Sequence, residues 1–115
     1  MFDGCINLEE INIPDTVQSF GFACFKDTSL ETISAPNLDY MSSSVFENCS
    51  SLESCDFSNS TINLIKEDTF KKATSLKEIK LSPFAITQVS KSAFYRWREP
   101  RIRNLFSASP FINVV

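Results

Sequence analysis

Four cysteines, together with scattered serines and carboxylates, are the groups in this sequence that would carry covalent or metal chemistry, and no histidine accompanies them. A nucleophilic thiol or hydroxyl needs a neighbouring base, and the usual base is absent. Cys5, Cys24, Cys49 and Cys55 lack the paired close spacing of a zinc site. Two glycines in 115 residues leave no room for a glycine-rich phosphate loop. The cysteines therefore read as small apolar fillers, reduced and buried. No cofactor and no metal are expected, and the chain does not read as an enzyme. Its 43% hydrophobic and 22% charged content fits a globular fold, and no apolar run reaches the ~18–20 residues of a membrane span.

The elements that must hold these residues are visible as a repeat. Phe2, Phe25, Phe46, Phe70 and Phe94 are separated by 23, 21, 24 and 24 residues. A leucine follows each of the first four (Leu8, Leu30, Leu52, Leu76) and opens the pattern L-x-x-Φ-x-Φ, with Φ apolar. The copies are Leu8-Ile11-Ile13, Leu30-Ile33-Ala35, Leu52-Cys55-Phe57 and Leu76-Ile79-Leu81. A second pattern closes each unit: Val17-Phe20-Cys24-Phe25, Leu38-Met41-Val45-Phe46, Ile62-Ile65-Thr69-Phe70 and Ile86-Val89-Ala93-Phe94. Two patterns held in register over four copies mean a solenoid, in which each unit buries its apolar face against its neighbours.

Each unit reads as strand, turn, short strand and short helical turn. L-x-x-Φ-x-Φ alternates like a strand with one face inward. Turn residues follow at Pro14-Asp15-Thr16, Pro36-Asn37, Ser58-Asn59-Ser60-Thr61 and Ser82-Pro83. The spacing of Ile65, Thr69, Phe70 and Ala73 suits one face of a helical turn, with Ser42 and Ser90 at N-cap positions. Stacked coils bring like positions ~4.8 Å apart, so the Phe residues form an internal ladder. Cys5 and Cys49, two coils apart, would lie ~9–10 Å from each other, beyond the ~7 Å between Cα atoms that a disulfide allows.

The outward strand positions form three columns: Glu9-Glu31-Glu53-Lys77, Glu10-Thr32-Ser54-Glu78 and Asn12-Ser34-Asp56-Lys80. Glutamates stacked at this spacing repel by somewhat under ~1 kcal/mol per pair in water. Folding does not require that arrangement, and a basic protein surface would relieve it. These twelve residues are the expected partner-binding face. Net charge is −3, with −6 over residues 1–95 and +3 over residues 96–115. An acidic body argues against nucleic acid as the partner.

Phe2-Asp-Gly-Cys5-Ile-Asn-Leu8-Glu-Glu-Ile11-Asn-Ile13-Pro14 and Phe46-Glu-Asn-Cys49-Ser-Ser-Leu52 resemble the BspA-like leucine-rich repeat. The resemblance covers residues 2–94. It implies an α/β repeat solenoid, a leucine-rich superhelix of about four coils with short parallel strands and short helical turns. It also implies a protein-binding role, often in surface antigens or adhesins, and hence a cell-surface location. A parallel β-helix is the alternative fold. The sequence departs from the family at the consensus Cys (Thr28, Ala73), at the Gly retained only as Gly21, and at the weak strand end Ala35.

Residues 1–96 are therefore the repeat region. Residues 97–115 do not follow the pattern and read as a C-terminal tail or cap: Trp97 and Pro100 fall where Cys and Leu belong. The first coil opens at Phe2 with no polar cap, which suggests a piece of a longer array and an open solenoid edge that could self-associate. The alternative to an interaction module is thus a terminal fragment with a structural role only. Asn48 and Asn59 begin N-x-S/T sequons and would be glycosylated only on a secretory route. The N-terminus does not read as a signal peptide.

Overall fold

A computed structural model describes residue 11 and residues 13–82, 87–95, 97–106 and 112–115. Expectations that involve Phe2, Cys5, Leu8, Glu9, Glu10, Asn12, Pro83, Ile86, Arg96 and Phe111 fall outside these residues.

The L-x-x-Φ-x-Φ copies two to four form strands β2 (Thr32–Ser34), β4 (Ser54–Phe57) and β6 (Glu78–Leu81), which pair in parallel in the order β2-β4-β6. The register follows the repeat: Ile33 faces Cys55 and Cys55 faces Ile79. Apolar side chains alternate inward, so Ile33, Cys55, Phe57, Ile79 and Leu81 are buried. The second extended piece of each unit forms a second ladder of parallel pairings, split into two separate sheets. There β1 (Ser19–Phe20) pairs with β3 (Tyr40–Met41), and β5 (Leu64–Ile65) continues through β7 (Thr87–Val89) to β8 (Ile112–Val114). Among the described residues no sheet closes into a barrel.

The helical turn expected before each Phe takes another form in three coils. Ala23, Ser44 and Asp68, two residues before the Phe, have φ of 54°, 61° and 60°. Asp27, Asn48 and Lys72, two residues after it, have φ of 62°, 61° and 62°. A left-handed residue breaks the i→i−4 bonding of a helix. The freed N–H groups turn to the next coil. Those of Ala23, Phe25 and Asp27 donate to the carbonyls of Ser43, Val45 and Glu47, and those of Ser44, Phe46 and Asn48 to Glu67, Thr69 and Lys71. The intervening N–H groups of Cys24, Lys26 and Thr28 close local turns onto Gly21, Ala23 and Phe25. Every second amide thus bonds across the stack and the others bond within the coil, which accounts for this segment's backbone donors. One or two isolated helical turns are marginal in water, so the stacked arrangement prevails.

Only the fourth copy winds as helix, a 3-10 turn at Lys91–Phe94. Ser90 sits at its N-cap position but makes no capping bond; its hydroxyl meets that of Ser92 at 2.8 Å. Ser42, the other expected cap, precedes turns instead.

The inner column is a continuous stack of rings. Phe25, Phe46, Phe70 and Phe94 lie 5.7, 5.4 and 5.3 Å apart with interplanar angles of 4°, 9° and 11°. Beyond Phe94 come Trp97 at 5.5 Å and Phe106, edge-on, at 6.2 Å. Helix α1 (Glu99–Leu105), with Pro100 in its first turn, carries Ile102 and Leu105 into the core beside Phe106 and packs against β6 and the 3-10 turn. Proline suits that first turn because the missing N–H has no partner there in any helix. Ile112–Val114, in the stretch that the repeat pattern leaves unmatched, adds to β7 with Val114 opposite Val89.

Candidate interaction surface

Cys24, Cys49 and Cys55 are buried free thiols, as expected of small apolar fillers. Burial pushes all three thiols above their ordinary range, most strongly Cys55, which favours the protonated form. Cys49 donates to the Phe25 carbonyl at 3.0 Å and lies 3.4 Å from the Thr28 hydroxyl. Thr28 holds the cysteine position of the preceding coil, so that departure from the repeat is absorbed by a hydrogen bond. Buried hydroxyls also bond between coils, Ser60 donating to the Ala35 carbonyl at 2.8 Å and Thr87 to Ile62 at 3.0 Å, while Thr69 donates within its own coil to Lys66 at 2.7 Å. Among the described residues no group of His, Cys, Asp or Glu could hold a metal ion, and no helix is long and apolar enough to cross a membrane.

The strand face presents the outward columns. Glu31, Thr32 and Ser34 on or beside β2 are exposed, as are Lys77 and Lys80 of the β6 coil; Glu53, Ser54, Asp56 and Glu78 are half-buried. The strand register sets Thr32, Ser54 and Glu78 in one row and Ser34, Asp56 and Lys80 in another. The backbone places Glu31, Glu53 and Lys77 in a third. The Glu53 N–H donates to the Glu31 carbonyl and the Lys77 N–H to the Glu53 carbonyl, each at 2.8 Å. Lys77 reaches back to Glu53, Nζ to Oε2 at 3.4 Å. Both partners are well exposed, so the pair contributes ~0–1 kcal/mol. The sequence columns noted the lysine but not that it pairs with the glutamate below it.

Asp56 is held below the usual carboxylate range, chiefly by the hydrogen bond from the Ser58 side chain at 2.6 Å, with help from the Ser58 N–H and from Lys80. A carboxyl whose folded pKa is depressed stabilises the fold above its unfolded pKa, and this is lost as pH falls through the folded value. Ser58→Ala should therefore raise the Asp56 pKa in an NMR pH titration and make the fold less sensitive to acid. An unmoved titration would show that the hydroxyl is not the cause.

The turn face also carries side-chain contacts between coils. Lys26 meets Glu47 at 3.6 Å, Asn48 donates to the Asp27 carboxylate, and Lys71 lies 4.8 Å from the Tyr95 ring centre. Both sequon residues are exposed: Asn48 donates to Asp27, and Asn59 lies in the Ser58-Asn59 turn. On the second ladder, Lys66 donates to the Tyr40 hydroxyl at 2.7 Å, which lowers the phenol's pKa from its ordinary value. Sequence periodicity did not single out that pair, since its members lie 26 residues apart at non-equivalent repeat positions.

No curated protein and no solved structure matches this chain. A family model described as "BspA type Leucine rich repeat region (6 copies)" matches residues 1–108. With nearly the whole sequence under that match, and in-register parallel strands recurring once per repeat, the chain belongs to the BspA-type leucine-rich repeat family.

Proposed function

We propose that this chain is a non-catalytic protein-interaction module that engages its partner through the outward strand face. Family membership is consistent with a protein-interaction module, and such repeats are generally non-catalytic. The observation that carries the choice of face is the adjacency of Glu31 and Glu53 on neighbouring coils, where like charges stack. On the turn face, by contrast, Lys26 of one coil meets Glu47 of the next. Like charges kept together on one face of a fold are relieved by a basic partner surface. The contact set is Glu31, Thr32, Ser34, Glu53, Ser54, Asp56, Lys77, Glu78 and Lys80, with Glu9, Glu10 and Asn12 continuing it in the first coil. A superhelical winding of about four coils and a place in a surface antigen or adhesin belong to the same proposal, supported by the family likeness.

We further propose that residues 97–115 act as a cap on the repeat region of residues 1–96. Burial of Ile102, Leu105 and Phe106 beside Phe94 supports this.

The face is tested by Glu31→Lys together with Glu53→Lys. Binding of a basic protein partner, measured by titration calorimetry, should weaken about tenfold or more, with the steepest change at low salt. The unfolding midpoint should stay within about 0.5 kcal/mol of wild type because both sites are surface positions. Unchanged affinity would remove this face from the proposal.

A further inference from the structure

In two of the three rows on the strand face, acid gives way to lysine between β4 and β6. The register sets Asp56 beside Lys80 and, between the charged rows, Ser54 beside Glu78. The Lys77 N–H donates to the Glu53 carbonyl, so these two residues are neighbours as well. The Lys77 ammonium lies 3.4 Å from the Glu53 carboxylate, and the two side chains are 77% and 44% exposed. The Asp56 carboxyl, held low chiefly by Ser58, is lowered by Lys80 too, so this second pair also interacts. Two acid–lysine pairs thus lie across one strand gap in the middle of the face.

A partner that is basic throughout would relieve Glu53 and Asp56 but repel Lys77 and Lys80. The better match sets a cation against each acid and an acid against each lysine. A second copy of the same face has that pattern. Turning it by half a revolution about a line parallel to the strands, midway between β4 and β6, lays its β6 over the β4 of the first copy. The two strands then run the same way with their rows level. Glu53 faces the second copy's Lys77, Asp56 faces its Lys80, and the Ser54 hydroxyl can donate to its Glu78 carboxylate; each contact recurs in reverse. An exposed ion pair alone contributes ~0–1 kcal/mol, whereas charges joined in a network contribute more. The half-turn joins two Glu53–Lys77 pairs into a ring of four charges of alternating sign.

We infer that two copies of this chain pair face to face through the strand face, with Glu53 and Asp56 of the β4 coil in one set against Lys77 and Lys80 of the β6 coil in the other. This rests on the strand-face reading of the proposed function and names the basic surface it calls for: the β6 side of a second copy. The contact is isologous, the same patch on both copies, so it closes at two. Strands ~4.8 Å apart make the patch small, and its polar character puts it among transient interfaces.

Sedimentation velocity of the full chain from about 10 μM to 1 mM tests this, a range suited to a transient dimer. Wild-type mass should rise with concentration and level off at two copies. It should fall back when salt is raised from about 0.1 M to 1 M, as the Debye length shrinks from about 10 to 3 Å. Glu53→Lys makes the ring of four charges wholly basic, and Lys77→Glu makes it wholly acidic, so each variant alone should dimerise at least about tenfold more weakly. An equimolar mixture of the two should restore the dimer. The double variant Glu53→Lys with Lys77→Glu should restore it too, because its pattern is again self-complementary. Circular dichroism confirms that each variant is folded. Lys77→Glu separates this inference from the reading it rests on: it should weaken the dimer yet strengthen the binding of poly-L-lysine, which Glu53→Lys should weaken. A chain that binds poly-L-lysine in this way but stays monomeric throughout overturns the dimer and leaves the strand-face reading standing. A salt-insensitive dimer, a mass that climbs beyond two copies, a single variant that dimerises like wild type, or a double variant that stays monomeric also overturns the inference.

Discussion

Replacing Phe46 with alanine should lower the free energy of unfolding by about 3–5 kcal/mol, the typical loss for a fully buried Phe. Phe46 is fully buried and sits mid-ladder. Its ring stacks on Phe25 at 5.7 Å and on Phe70 at 5.4 Å, and touches Phe20 and Phe57 at 6.2 and 6.4 Å. Removing it opens a void between two coils, and the Phe25 and Phe70 rings each lose a stacking partner worth ~0.5–1.5 kcal/mol beyond area. The neighbours cannot collapse into that space easily, because the N–H groups of Phe46 and Phe25 are bonded to the next coil. In a solenoid each unit is held only by its neighbours, so a break in the middle uncouples the halves. Urea denaturation should show a lower midpoint, or a second transition as the two halves unfold separately. A loss below about 1.5 kcal/mol would mean that the ladder is not a main source of stability. Phe46→Leu, which keeps most of the volume, should cost about 1.5 kcal/mol or less.

The second large effect is expected at Ile102. This residue is fully buried on α1, in the segment proposed as a cap. Ile102→Asp places a carboxylate where no cation is paired to it, at a cost of about 3 kcal/mol or more. The helix should detach from Phe94 and β6. Trp97, the one tryptophan of the chain, reports this directly. It is half-buried, its ring is 5.5 Å from Phe94, and the Arg101 guanidinium lies 3.6 Å from its centre. Detachment should move its emission to the red and lower the melting temperature, with light scattering rising as apolar surface is uncovered. Asn104→Asp, on the exposed side of the same helix, serves as the control and should fall within about 0.5 kcal/mol of wild type. An Ile102→Asp protein that melts like wild type would show that α1 is not part of the cooperative unit, and the cap proposal would fail.

Much of the architecture was legible in residue order alone because a solenoid is nearly one-dimensional. Leu30, Leu52 and Leu76 predict where β2, β4 and β6 begin, and period-two alternation predicts that Ile33, Cys55 and Ile79 share the inward face. The spacing of the Phe residues predicts a ladder, and Phe25, Phe46, Phe70 and Phe94 form one. The cysteines were expected as buried apolar fillers, and the three described ones are buried free thiols. The outward columns were equally legible as positions. The Lys77–Glu53 ion pair was not, because the rotamer that joins them depends on the local surface.

What only the tertiary structure decided follows from one physical fact. A turn segment's amides can bond four residues back or one coil onward, and sequence periodicity does not distinguish these. Ile65, Thr69, Phe70 and Ala73 have helical spacing, yet the amides of Asp68 and Phe70 bond to Ser92 and Ala93 of the next coil. The left-handed turns at Asp68 and Lys72 permit it. Partners more than twenty residues away chose that geometry, at positions where no glycine announced it. The same holds at the end of the repeat. Pro100 occupies the place of a repeat leucine and excludes a strand, but whether α1 would dock on the last coil depended on Ile102, Leu105 and Phe106 meeting Phe94 and its neighbours. The repeat letters alone thus determined the coil, its register and its inner ladder. The stack determined how each turn winds, how helix α1 packs on β6, and which short strands pair.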